Sequence, residues 1–161
     1  MIALAFYKGR GQVLDRVIRW VTRSSFSHVE ILREVPAGPD YGSDARAWSS
    51  SGRDGGVREK SITFKPGHWE FVTIPWAGPA AIDRVIAEIG NPYDYAGLLA
   101  SQALNLRRHR RDQWFCSEIC AHALELSAPQ ELSPGGLYCR VLEMNRAYLA
   151  GWTRAGEPPE D

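Results

Sequence analysis

Trp114-Phe115-Cys116-Ser117-Glu118-Ile119-Cys120-Ala121-His122-Ala123-Leu124 is the stretch on which the reading of this chain turns. Apolar residues at 115, 119, 120, 123, 124 and 126 follow the i, i+3, i+4, i+7 spacing of one packed helix face. That spacing predicts a buried helix that begins at Cys116. Unpaired N–H groups and the positive end of the dipole at a helix start favour an anion, which suits a thiol there to nucleophilic chemistry. The bland alternative is a cysteine that merely packs, since free cysteine is among the most buried residue types. A second stretch, Phe26-Ser27-His28-Val29-Glu30-Ile31-Leu32, lifts Cys116 above that alternative. Its alternation predicts a strand with His28 and Glu30 on one face and Val29 and Ile31 on the other.

Working outward from these two stretches, Ile2 to Tyr7 is a short apolar run closed by Lys8-Gly9-Arg10-Gly11, a strand and a turn. Val13, Leu14, Val17, Ile18 and Val21 repeat at helical spacing, with Asp15, Arg16, Arg19 and Arg23 on the other side. Those arginines are either a solvated face or a weak anion-binding rim. A polar loop spans 36–46. Ala47 to Ser51 is a strand, turning at Asp54-Gly55 as a hairpin into Val57-Arg58-Glu59. Ile62 to Phe64 and Trp69 to Ile74 are two further strands around Lys65-Pro66-Gly67. Ile82, Val85, Ile86 and Ile89 mark an amphipathic helix that starts at a proline and stops at Gly90. Residues 94–106 form another helix, and Ser133-Pro134 opens a last one carrying Leu137, Val141 and Leu142. Consecutive strands joined by short turns predict a mostly antiparallel sheet packed against helices, an α+β fold in a single domain over 1–154, with a flexible tail at 155–161.

Composition narrows the classes. Nineteen basic residues balance nineteen acidic ones among 161, so no global field draws the chain to nucleic acid or an anionic membrane. Arg107-Arg108-His109-Arg110-Arg111 is a solvated loop rather than a nucleic-acid site, because no aromatic residues interleave it. Three cysteines without zinc-ligand spacing point to a reducing compartment and at least one thiol kept for chemistry. Neither a signal peptide nor a run approaching the ~18 apolar residues of a membrane span is found. A protein made soluble and cytoplasmic is expected.

A cysteine nucleophile needs a base within hydrogen-bond reach and a third group to orient that base. His28, on a strand beside a carboxylate, is the candidate. His68 lies in a turn, His109 in the basic cluster and His122 on the cysteine helix. Glu118 points ~200° round the helix from Cys116; helix N-terminal charge and hydrogen bonding suit it better than contact with the thiol. Metal-assisted hydrolysis is disfavoured, because His28 and Glu30 lack a convincing third ligand. No cofactor and no metal are expected.

The order Ser27-His28-Val29-Glu30-Ile31, then Gly90-Asn91-Pro92-Tyr93-Asp94-Tyr95-Ala96-Gly97-Leu98, then Phe115-Cys116-Ser117-Glu118-Ile119 resembles the NlpC-type papain-like cysteine hydrolases. Because the histidine precedes the cysteine, it looks like their circularly permuted branch, the YiiX-type bacterial proteins and, more distantly, lecithin:retinol acyltransferase. The likeness covers about residues 1 to 142. It implies a papain-like fold with Cys116 as nucleophile, His28 as base and Tyr93 beside the nucleophile at the oxyanion. In that family the third polar residue usually lies on the strand after the histidine strand. Here that strand offers only serines, so Ser50 or Glu30 is left to orient the imidazole. Glu30 would have to reach, since positions i and i+2 on a strand stand nearly 7 Å apart at ~3.3 Å per residue.

Three functions follow from these readings. The first is a thiol hydrolase that cleaves an amide through a thioester, acting on a peptide or a small acyl compound, with peptidoglycan peptide and a bacterial or phage setting implied by the resemblance. The second is a lipid acyltransferase or thioesterase, which would need an apolar groove; Trp48, Trp69, Trp76 and Trp114 could line one. The third is a non-catalytic binding module on the same scaffold.

Overall fold

The computed structural model describes residues 1–9, 11, 13–36, 44–93 and 114–151. The helix expected over 94–106, the basic cluster at 107–111 and the tail from 155 lie outside them, as does most of the loop at 36–46. In chain order the elements are β1 (Ile2–Tyr7), α1 (Val13–Thr22), β2 (His28–Leu32), β3 (Asp44–Ser51), β4 (Gly56–Thr63), β5 (Trp69–Ile74), α2 (Ala80–Ala87), α3 (Cys116–Ala123), a 3-10 turn (Pro129–Glu131) and α4 (Pro134–Leu149). The strands form one sheet in the order β4-β3-β2-β1-β5. Every pairing in it is antiparallel, so the chain is α+β.

Two differences from the sequence reading have simple causes. Ile62 and Thr63 do not begin a new strand but finish β4, because that strand pairs with β3 without interruption from Ser51↔Gly56 to Asp44↔Thr63. The helix expected up to Ile89 ends at Ala87. The chain then turns at Gly90, whose φ of +98° is left-handed backbone that glycine adopts without strain.

The sheet is buried on both sides. Leu4, Phe6, Val29, Ile31, Val72 and Ile74 meet Ile82, Ile119, Leu137 and Val141 of the helices in the main core. Ala3, Ala5, Leu32, Ala47 and Phe64 fill a smaller core on the opposite face, with Trp69 and Phe71 packed against it. Burial on both faces is why Ile2 to Phe6 is continuously apolar rather than alternating. The smaller core also curls the sheet. β4 and β5 are its two edges, which in a flat sheet would stand roughly 19 Å apart at ~4.8 Å per strand. The link between them is a turn in which His68 N donates to Lys65 O at 3.2 Å. Phe64 closes the curl by packing edge-on against Trp69 and Phe71, at 4.9 and 5.2 Å between ring centroids.

One seam in the sheet stays open. β2 pairs with β3 only at Ile31↔Trp48 and Leu32↔Ala47, so the two strands part towards His28. Side chains take over there. Ser49 Oγ donates to Val29 O at 2.6 Å, and Ser50 Oγ donates to Trp114 O at 2.6 Å. The start of α3 is thereby stitched to β3 beside the histidine end of β2.

Candidate active site

Cys116 is the first residue of α3, as the periodicity predicted. Phe115 stands before it in extended conformation, and the Phe115 N–H donates to Glu118 Oε2 at 3.3 Å. Glu118 therefore turns back on the helix start, one of the roles its angular position allowed. Seven of the eight residues of α3, all but His122, are buried. This helix is buried nearly all round, Ser117 and Glu118 included, because it packs between the sheet and the other helices.

The imidazole of His28 lies close enough to Cys116 for the two to interact electrostatically. On its other side His28 Nε2 stands 2.7 Å from Glu30 Oε1. Glu30, fully buried, is thus the carboxylate that meets the imidazole, and the i, i+2 gap on the strand is bridged by the combined length of the two side chains. Ser50 is not at the imidazole. Its hydroxyl is spent on the Trp114 carbonyl, so it ties β3 to the start of α3, and Glu30 is the one that meets the imidazole.

Glu30 carries a second partner that the sequence reading did not single out. Arg58 on β4 grips it with both guanidinium ends, Nη1 to Oε2 at 2.7 Å and Nη2 to Oε1 at 2.5 Å. Arg58 Nε in turn donates to Asp54 Oδ2 at 3.0 Å, and Lys60 Nζ to Asp54 Oδ1 at 2.9 Å. A usable signal existed: Arg58 and Lys60 alternate on one face of β4, just after an acidic hairpin turn. Which acid they would meet depended on the order and register of the strands beside β4.

These contacts set the charges. Burial alone would lower the pKa of His28, but the Glu30 carboxylate and then Cys116 outweigh it and raise the value to about 10. The imidazole is therefore protonated at neutral pH. Burial would raise Glu30, yet the His28 charge and the Arg58 hydrogen bonds bring it below the usual carboxylate range. Asp54, against burial that would raise it, is pulled down to about 2 by hydrogen bonds from Lys60 and Arg58. Arg58 is held above its ordinary value by its two acids in spite of burial. One turn on from Cys116, Cys120 is sealed in the core with Sγ 3.9 Å from Val29 O, and burial pushes its thiol well up.

Tyr93 sits where the Gly90–Tyr93 segment crosses the start of β4. Tyr93 N donates to Gly55 O at 3.2 Å, Val57 N to Asn91 O at 2.9 Å, and Trp114 N to Pro92 O at 3.0 Å. A Cβ on Gly56 would collide with Asn91 O, so only glycine admits this crossing. Tyr93 is buried, meets the Phe115 ring edge-on at 5.9 Å and borders the same cleft as His28.

That cleft encloses about 370 Å³, and Asp15, Glu30, Arg53, Asp54, Lys60 and Lys65 are among the residues bordering it. Asp15 of α1 holds Ser27 Oγ at 3.2 Å, next to the histidine, and Arg53 Nη2 of the β3–β4 turn at 3.1 Å. Of the four tryptophans considered for an apolar groove, Trp48, Trp76 and Trp114 are buried in the main core, and only Trp69 borders the cleft. Among the described residues no group of three or more His, Cys, Asp or Glu side chains could hold a metal ion, and no helix is long and apolar enough to cross a membrane. No family model and no curated protein matches the sequence.

Proposed function

We propose that the protein is a cysteine hydrolase that cleaves an amide bond of a polar, peptide-like substrate, on a permuted papain-like scaffold. The observation that carries this reading is the convergence of Cys116, His28 and Glu30: a thiol at a helix start within electrostatic reach of an imidazole that a buried carboxylate holds. With Nε2 on Glu30, Nδ1 is the ring nitrogen left for the sulfur. The Glu30 carboxylate favours a proton on the ring, which suits His28 to hold the proton that Cys116 gives up as its sulfur attacks. The thiolate adds to the substrate carbonyl carbon, and the carbonyl electrons move to oxygen. The Cys116 N–H at the helix start and Tyr93 are the groups on hand to receive that oxyanion, where losing one donor typically costs about 10²–10³ in rate. As the C–N bond breaks, the imidazolium gives its proton to the departing amine and a thioester remains. His28, now neutral, takes a proton from water, whose oxygen attacks the thioester and returns the thiolate.

A polar cleft with both signs of charge on its walls supports a peptide over a long acyl chain. The contact of Glu30 with the imidazole supports a hydrolase over a binding module, because a catalytic histidine needs a third group to orient it.

The test is competitive alkylation with iodoacetamide near pH 7, with peptide mapping. Cys116 is expected to react much faster than Cys120 or Cys139, and His28→Ala should remove that advantage. Labelling of Cys116 no faster than exposed Cys139 overturns the hydrolase reading in favour of a binding module.

A further inference from the structure

We infer that Arg58 is a positioning residue for the cysteine–histidine pair: locked by Asp54, it grips Glu30 at both oxygens and so keeps that carboxylate aimed at His28. The inference rests on the hydrolase reading above and adds to it a residue that acts through Glu30.

Three observations carry it. First, the grip is two-pronged, at 2.7 and 2.5 Å, on the same carboxylate that meets His28 Nε2 at 2.7 Å. A planar fork on a carboxylate fixes its plane as well as its place, which a point charge does not. Glu30 Oε1 then receives both Arg58 and His28, so the imidazole inherits the orientation the arginine imposes. Secondly, the arginine is itself immobilised: its Nε is on Asp54, and Asp54 is shared with Lys60. The support runs from the hairpin turn through Asp54, Arg58 and Glu30 to His28. Thirdly, Glu30 is wholly buried, and an ionised carboxylate is kept in such a place only if it is paired and hydrogen-bonded. His28 supplies one partner; the arginine supplies the charge that persists when His28 passes its proton to the leaving group. At that moment of the cycle Glu30 would otherwise face a neutral ring alone.

The strand register explains how a residue two strands away arrives there. Arg58 is paired with Ser49, and extending the β2–β3 register one step places Ser49 opposite Glu30. The two strands have parted at this point, so Arg58 can reach across the seam that a continued ladder would have closed.

The experiment is the pH profile of Cys116 alkylation by iodoacetamide in five full-length proteins: wild type, R58M, R58K, E30Q and the double variant E30Q/R58M. Losing an opposite charge at this range shifts a carboxylate by about 1–3 pH units. In R58M the acid limb of the profile is therefore expected to move up by about one unit or more, and Arg58→Lys should restore part of it. In the E30Q background R58M should change nothing further, because its target carboxylate is gone. An acid limb in folded R58M that matches wild type overturns the inference, as does an additive effect in the double variant. If R58M alone fails to fold, E30Q against E30Q/R58M decides by itself: equal profiles support the role and additive ones refute it. A wild-type Cys116 that labels no faster than Cys139 sinks the hydrolase reading instead, so the two failures are told apart.

Discussion

At the scale of single residues the site depends on one buried carboxylate. Glu30 receives His28 and Arg58 at the same time, and it has no access to water. Truncation would leave the guanidinium with Asp54 alone and the imidazolium facing an empty space. Breaking a buried pair from one side commonly costs about 3–5 kcal/mol. Glu30→Ala is expected to destabilise the protein by about that much in urea unfolding, with a lower midpoint and an unchanged slope. A cost below about 1 kcal/mol would mean that solvent takes the place of the carboxylate and that the network is not a closed one. Cys120 offers the contrast within the same helix. Its thiol lies in the core with a pKa pushed up by burial, which suits it to packing rather than to chemistry.

At the scale of elements the question is what places the start of α3 beside the open end of β2. The Ser50 hydroxyl is one of the tethers, since it satisfies the carbonyl of Trp114 two residues before the cysteine. Leaving a buried polar group without its partner costs about 1–3 kcal/mol. Ser50→Ala should therefore lower stability by that amount in urea and slow Cys116 alkylation, while leaving the His28–Glu30 contact in place. Slower alkylation with no loss of stability would instead assign Ser50 a direct part in the chemistry. The last helix shows the same logic in its simplest form. Ser133 caps α4 by accepting from Gly136 N at 3.1 Å, with Pro134 in the first turn. Serine before proline was a legible helix start because both residues act within one turn of chain.

For the whole molecule, the site's charges make stability depend on pH. The folded-state pKa of His28, about 10, lies above the ordinary 6.5. Its contribution is thus complete below about pH 6.5 and is lost as pH climbs towards 10. Glu30 lies below the ordinary 4.5, so its contribution is complete above that value and disappears as pH falls through the folded-state value. Both are fully present between about pH 4.5 and 6.5. Urea midpoints measured from pH 5 to 10 are expected to fall on the alkaline side, and the fall should be shallower in His28→Gln. Wild type and His28→Gln falling in parallel would mean that the imidazole does not hold its proton more tightly in the folded chain. Cys120 and Tyr138, whose pKa values are also raised, are common to both proteins and drop out of that difference.

Local pattern was enough for several parts of this protein. The i, i+3, i+4 spacing set the face of the cysteine helix. Strict alternation put His28 and Glu30 on one side of their strand, and the Asp54-Gly55 turn announced the hairpin. Each of these rests on interactions within a few residues, which the order of side chains encodes directly. Ser50 and Glu30 could not be separated in the same way. Either could have faced the imidazole until the parting of β2 from β3 sent the serine to Trp114 and left the glutamate beside the ring. Arg58 was harder still, because its partner lies two strands away, across the seam where β2 and β3 part. Which faces were polar or apolar was written in the chain; which of them met was decided by packing between segments far apart in it, where no local periodicity carries the information.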